Sequence, residues 1–123
     1  MLNNSILELA VKEARKSDHR HKMGAVIFNH KSIISSGRNY SCRSVKHCHP
    51  RFFRWKGSLH AEMDAIIKAK RDLDGYSILI IRVNNLGNLM FAMPCDHCMA
   101  YLLYTGLKYC YYSDEDRICR MKL

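Results

Sequence analysis

Acidic residues are missing from a long part of this chain. Residues 31–57 contain no Asp or Glu, yet they hold seven bases: Lys31, Arg38, Arg43, Lys46, Arg51, Arg54 and Lys56. Also absent is any apolar run near the ~20 residues that a membrane-crossing helix needs. The opening residues Met1-Leu2-Asn3-Asn4-Ser5 have no basic segment leading into an apolar one, so no secretory signal is expected. Internal repeats, low-complexity tracts and linker-like segments are lacking too. With 123 residues, the chain is expected to form one domain, 1–123, around a single core. Six cysteines could serve as a disulfide framework in a small secreted protein. Without a signal segment, a reducing, cytoplasmic setting is expected instead.

Charge is informative through its placement. The formal net charge is +9, and residues 1–57 carry twelve Lys/Arg against three Asp/Glu, whereas residues 58–123 carry eight of each. His30, His47 and His49 and the aromatics Tyr40, Phe52, Phe53 and Trp55 lie among or beside the bases of the acid-free stretch. A solvated basic face would explain the charges alone. Bases interleaved with aromatics better suit an anionic partner with stackable bases, with Arg51, Arg54 and Trp55 as candidate contacts.

Directly after this stretch comes His60-Ala61-Glu62, and well downstream Pro94-Cys95-Asp96-His97-Cys98. Taken singly, an H-x-E string reads as helix surface, and a C-x-x-C as a structural zinc half-site or a redox pair. A redox pair leaves His60 and Glu62 without a role. A structural site needs a fourth ligand, for which Cys42, Cys48, Cys110 and Cys119 are available. Together, His60, Cys95 and Cys98 offer one imidazole and two thiolates, a set suited to tetrahedral Zn²⁺ with its fourth position open to water. Such an ion lowers the pKa of its water towards ~7. Glu62, two residues from His60, is well placed to handle protons. Cys42, His47, Cys48 and His49 could hold a second, structural zinc, but their spacing matches no standard pattern and loop residues are the favoured reading.

Hydrophobic periodicity places these motifs. Ser5-Ile6-Leu7-Glu8 reads as a capping box, with Leu7, Ala10, Val11 and Ala14 forming one helical face to about residue 16. Residues 24–28 and 32–39 read as a β-hairpin, and 40–57 as a long loop. A helix capped by Ser58 is expected over 58–71. Residues 76–83, almost continuously apolar, read as a strand buried on both faces. A turn at 84–88 and a strand at 89–93 make an extra hairpin. Pro94 is expected to start a helix ending at Gly106, followed by a last strand at 108–113 and a polar tail at 114–123. Alternating strands and helices imply a sheet with a parallel portion and helices on its faces. Both halves of the motif then fall at helix N-termini, whose partial positive charge favours thiolates.

The pairing of His60-Ala61-Glu62 with Pro94-Cys95-Asp96-His97-Cys98 resembles the cytidine and deoxycytidylate deaminase superfamily. Met23-Gly24-Ala25-Val26-Ile27, Ser36-Gly37-Arg38-Asn39 and Thr105-Gly106-Leu107-Lys108 resemble further family segments. A histidine as first ligand is closer to the deoxycytidylate, polynucleotide-editing and tRNA branches than to the free-cytidine branch. The resemblance implies a three-layer α/β/α fold around a mixed sheet, with helices on both faces. It also implies hydrolytic attack on C4 of cytosine or C6 of adenine, with Glu62 moving the protons. Asn39 would touch base and sugar, and the Ala61 backbone would contact the ring carbonyl.

Two departures bear on the substrate. The segment after Asn39, Tyr40-Ser41-Cys42-Arg43-Ser44-Val45-Lys46, lacks the glycines with which deoxycytidylate deaminases hold phosphate. The hairpin at 84–93 is an insertion. The leading expectation is cytosine deamination in single-stranded DNA or RNA, since an acid-free basic stretch exceeds what one phosphate requires. The alternatives are a deaminase of free dCMP, an RNA adenosine deaminase, or a non-catalytic zinc-stabilised nucleic-acid-binding module. No membrane partner is expected, and a homo-oligomer would be unsurprising.

Overall fold

A computed structural model describes residues 2–30, 32–40, 60–115 and 117–123. The expectations for Cys42, His47, Cys48, His49, Arg51, Phe52, Phe53, Arg54, Trp55 and Ser58 lie outside the described residues. The elements run α1 (Asn4–Arg15), β1 (Lys22–Phe28), β2 (Ile33–Arg38), α2 (Ala61–Ala69), β3 (Ser77–Val83), β4 (Leu89–Met90), α3 (Asp96–Tyr104), β5 (Tyr109–Asp114) and β6 (Arg117–Lys122).

The sheet order is β2-β1-β3-β5-β6, with β4 paired to β3. Only β3 and β5 are parallel; the other pairings are antiparallel, so the sheet is mixed as expected. The central strands are apolar on both faces. Val26, Phe28, Leu79, Ile81 and Val83 pack with Ile6, Ala10 and Ala14 of α1. Ala25, Ile27, Ile78, Ile80 and Cys110 pack on the opposite side with Ala61 and Ala65 of α2 and Leu102 of α3. Period-two alternation in β1 and β3 thus requires a helical layer on each side, which gives the three-layer α/β/α architecture.

Glycines set how closely the helices approach. A Cβ on Gly24 would meet the α1 backbone, 2.7 Å from Ala14 N. A Cβ on Gly37 would meet the α2 backbone, 2.8 Å from Ala61 O and 2.9 Å from the Asp64 carbonyl carbon. Asp64 fastens the second contact, accepting from Arg38 N at 3.0 Å and pairing with Lys68 Nζ at 2.9 Å.

Several boundaries differ from expectation. The cap of α1 is Asn3, whose Oδ1 accepts from Ile6 N at 3.0 Å, and Ser5 lies inside the helix. The buried face of α1 is Ile6-Ala10-Ala14, so Leu7 and Val11 sit at its rim; the small alanines are what fit against Gly24. The helix carrying Glu62 begins at Ala61 and ends at Ala69, because Lys70 adopts a left-handed conformation (φ 52°). Pro94 precedes α3, whose N-cap is Cys95. The tail at 114–123 forms a strand: β6 pairs antiparallel with β5 from Asp114↔Arg117 to Tyr109↔Lys122. An edge strand alternates charged and apolar residues, which makes it read as polar.

Candidate metal centre and active-site cleft

The C-terminal ends of β2, β3 and β5 lie at one edge of the sheet, where ligands of open α/β sheets commonly bind. The N-termini of α2 and α3 bring four motif residues to this edge. His60 and Cys95 are N-cap residues with extended backbone (ψ 152° and 167°), and neither side chain caps its own helix. Glu62 lies in the first turn of α2 and Cys98 in that of α3. Met99 N donates to Cys95 O at 2.8 Å and Asp64 N to His60 O at 3.0 Å, so both ligand-bearing caps are fixed by intrahelical bonds.

One ligand atom from each of His60, Cys95 and Cys98 lies within 4.8 Å of the others. His60 Nδ1 is 3.0 Å from Cys98 Sγ. Donors at Zn–N and Zn–S bond lengths around a tetrahedral ion stand roughly 3.5 Å apart, so small side-chain shifts suffice to hold one. Cys98 is fully buried, half-buried His60 flanks it, and Cys95 is exposed. The adjacent Cys95 sulfur and then burial push the Cys98 thiol far up from its ordinary range. Two clustered sulfurs beside a buried carboxylate are therefore an unfavourable place for thiolate unless a cation joins them. Glu62 supplies that carboxylate: it is 2 % exposed, its Oε1 has no hydrogen-bond partner, and burial pushes its carboxyl up. The donor set fits one zinc ion.

These residues open into a cleft of about 340 Å³ lined by His60, Glu62 and Cys95, together with Asn39, Arg82 and Phe91 among others. Asn39 is tightly used by the fold. Its Oδ1 accepts from Ser17 Oγ at 2.6 Å and Met23 N at 2.9 Å, and its Nδ2 donates to His21 O, leaving one amide hydrogen for the cleft. Ala61, the first residue of α2, is fully buried, and it is not among the residues that line the cleft.

From the hairpin segment 84–93, Phe91, Ala92 and Met93 line one part of the cleft. Ser113 Oγ donates to Met90 O at 2.6 Å and accepts from Arg82 N at 3.1 Å, while Ala92 N donates to Ser113 O at 2.9 Å. The segment is thereby wedged between the diverging ends of β3 and β5. Beyond the wedge, Phe91 and Met93 stand 53 % and 44 % exposed on the cleft wall.

The description "Cytidine and deoxycytidylate deaminase zinc-binding region" matches residues 2–114. The chain belongs to this deaminase family. An uncharacterized deaminase from the luxG 3' region of Aliivibrio fischeri is 32% identical over 108 residues, covering 84% of this chain and 67% of that protein. The fold also resembles the cytidine deaminase of Burkholderia pseudomallei, with a TM-score of 0.69 at 16% identity over 99% of this chain and 93% of that one. A dCMP deaminase of cyanophage S-TIM5, solved in complex with dCMP and dUMP, gives a TM-score of 0.58 at 24% identity, with coverage of 94% and 85%. The zinc-binding reading of His60, Cys95 and Cys98 thus agrees with the family of this deaminase.

His19, His21 and Arg82 also line the site and lie outside both sequence motifs. A signal for one exists: Arg82 is the only charge in the apolar run 76–83. Among the described residues, no helix is long and apolar enough to cross a membrane.

Proposed function

We propose that this deaminase hydrolyses the exocyclic amino group of cytosine, giving uracil and ammonia, with the base presented in single-stranded DNA or RNA. One observation carries the reaction class: the buried Glu62 carboxylate, with an unpartnered oxygen, lines one cleft with His60 and Cys95, whose ligand atoms cluster with the buried Cys98 sulfur. A zinc ion held by His60, Cys95 and Cys98 would supply Lewis acidity to a water at its open position. Glu62 accepts the proton of the attacking water and delivers it to the ring nitrogen. It then moves a second proton to the amino group, which departs as ammonia. Phe91 to Cys95 line the cleft beside the base, and Asn39 offers its remaining amide hydrogen to the substrate.

The polymeric substrate is supported by charge. The acid-free stretch at 31–57 leads directly into His60, and its bases, including Arg51 and Arg54, together with Trp55, suit a strand's phosphates and a stacked base. A free cytosine nucleotide is the second reading, favoured by a cleft whose volume suits one nucleotide and by the solved relative that binds dCMP. Parallel incubation of the zinc-loaded protein with deoxycytidine, dCMP, and single-stranded DNA and RNA oligonucleotides, scoring uracil, decides between them. Uracil from the oligonucleotides is expected. Turnover of dCMP alone would sink the polymeric reading, and no uracil from any would sink cytosine.

A further inference from the structure

Strand alternation brings a cation to an unusual place. Ile78 and Ile80 of β3 face the α2–α3 side of the sheet, and residue 82 continues that row. An apolar residue there would extend the core; the chain has Arg82 instead. Its backbone is enclosed on both sides, paired with Met23 of β1 and Met90 of β4, with its N–H on Ser113 Oγ. Its side chain lines the cleft that also holds His60 and Glu62.

Among the described residues, no carboxylate forms an ion pair with this guanidinium. Arg82 Nη2 lies 2.7 Å from His21 Nδ1. Arginine can only donate, so at this shorter contact Nδ1 accepts and a neutral imidazole carries its proton on Nε2. The longer approach of Arg20 to Nε2 is then a contact between donors rather than a hydrogen bond. Arg20 Nη2 lies 3.4 Å from that Nε2, and the His19 and His21 rings stand 5.8 Å apart. Among the described residues the ion pairs are Arg38–Glu13, Lys68–Asp64 and Arg117–Asp114, and none involves Arg82. Glu62, the acid lining this cleft, is not within ion-pair distance of Arg82. A half-buried guanidinium held by a neutral imidazole keeps most of its donors unused, an arrangement that an incoming anion would complete.

We propose that Arg82, aimed by His21, is a specificity-determining residue that binds a phosphate group of the cytosine substrate. The inference rests on the cytosine reading above. A phosphate oxyanion matches the fork of guanidinium donors, and the ligand could be the monoester of a free nucleotide or the diester of a strand. His21 acts through Arg82 as a positioning residue.

The test compares kcat/KM for deoxycytidine, dCMP and a single-cytosine oligonucleotide in the wild type, Arg82→Gln and Arg82→Lys, with zinc content and melting temperature as controls. Arg82→Gln is expected to lower kcat/KM for the phosphate-bearing substrates by about 30-fold or more beyond its effect on deoxycytidine. Arg82→Lys should recover part of that loss. A loss confined to dCMP assigns the monoester, and a loss that includes the oligonucleotide assigns the diester as well. Equal losses on nucleoside and nucleotide, or no loss on either, would overturn the proposal. Calorimetric titration with inorganic phosphate gives a readout without turnover, and Arg82→Gln must weaken that binding. If the wild type turns over no cytosine substrate, the base assignment alone fails, and unchanged phosphate affinity in the variant would then dispose of Arg82 as well.

Discussion

In the proposed mechanism four side chains carry the chemistry, and two of them, Glu62 and Cys95, differ in what their loss should do. Glu62→Gln keeps the shape of the side chain but removes the base, so zinc should stay bound while turnover falls by about 10²- to 10⁴-fold or more. Metal analysis beside uracil assays checks this, and substantial remaining turnover would remove Glu62 from the proton path. Cys95→Ala removes a ligand, so bound zinc and turnover should fall together; unchanged metal stoichiometry would exclude Cys95 as a ligand. These residues are legible in the sequence because only certain groups bind zinc or move protons near neutrality, and the motif spacing keeps them together. Arg82, His19 and His21 are not legible in that way. A lone Arg in an apolar strand reads equally as an edge residue, and only the register Met23↔Arg82 places it in a central strand, where it lines the cleft.

Among the elements, the two helix–sheet contacts are equivalent in packing and unequal in consequence. Gly24 lies against α1, which carries none of the motif, and Gly37 lies against α2, which carries Glu62 and is capped by His60. An alanine at either position must push helix backbone aside, costing about 1–3 kcal/mol. Gly24→Ala should lower the melting temperature with zinc content kept. Gly37→Ala should lower both, because the displaced first turn of α2 takes His60 away from Cys98. Equal zinc content in the two variants would show that the centre tolerates movement of α2. The periodicity of β1 and β3 makes them readable from sequence, since burial on two faces demands continuous apolar residues. The β6 edge strand is hidden because its residues are half-exposed and alternate with charges. The true cap Asn3 is hidden by Ser5, a competing cap of similar propensity.

Across the whole molecule, basic charge is gathered before the metal motif and balanced after it. If a strand follows the acid-free stretch, Arg51→Glu with Arg54→Glu should raise KM steeply on oligonucleotides. The same pair should reduce the slope of binding against salt by about one per lost phosphate contact. Salt titration of oligonucleotide binding checks this, and an unchanged slope would remove these two residues from the backbone contacts. The deaminase family, the zinc ligands, the carboxylate beside them and the layered fold were determined by the sequence itself, because ligand chemistry and apolar periodicity are local properties of the chain. What only the tertiary structure decided is the composition of the cleft: the wedge of residues 89–92 between β3 and β5, the engagement of Asn39 by Ser17, His21 and Met23, and the guanidinium of Arg82 against His21. Those contacts join residues 16 to 61 positions apart, and strand register and helix docking, rather than local propensity, determine which of them meet.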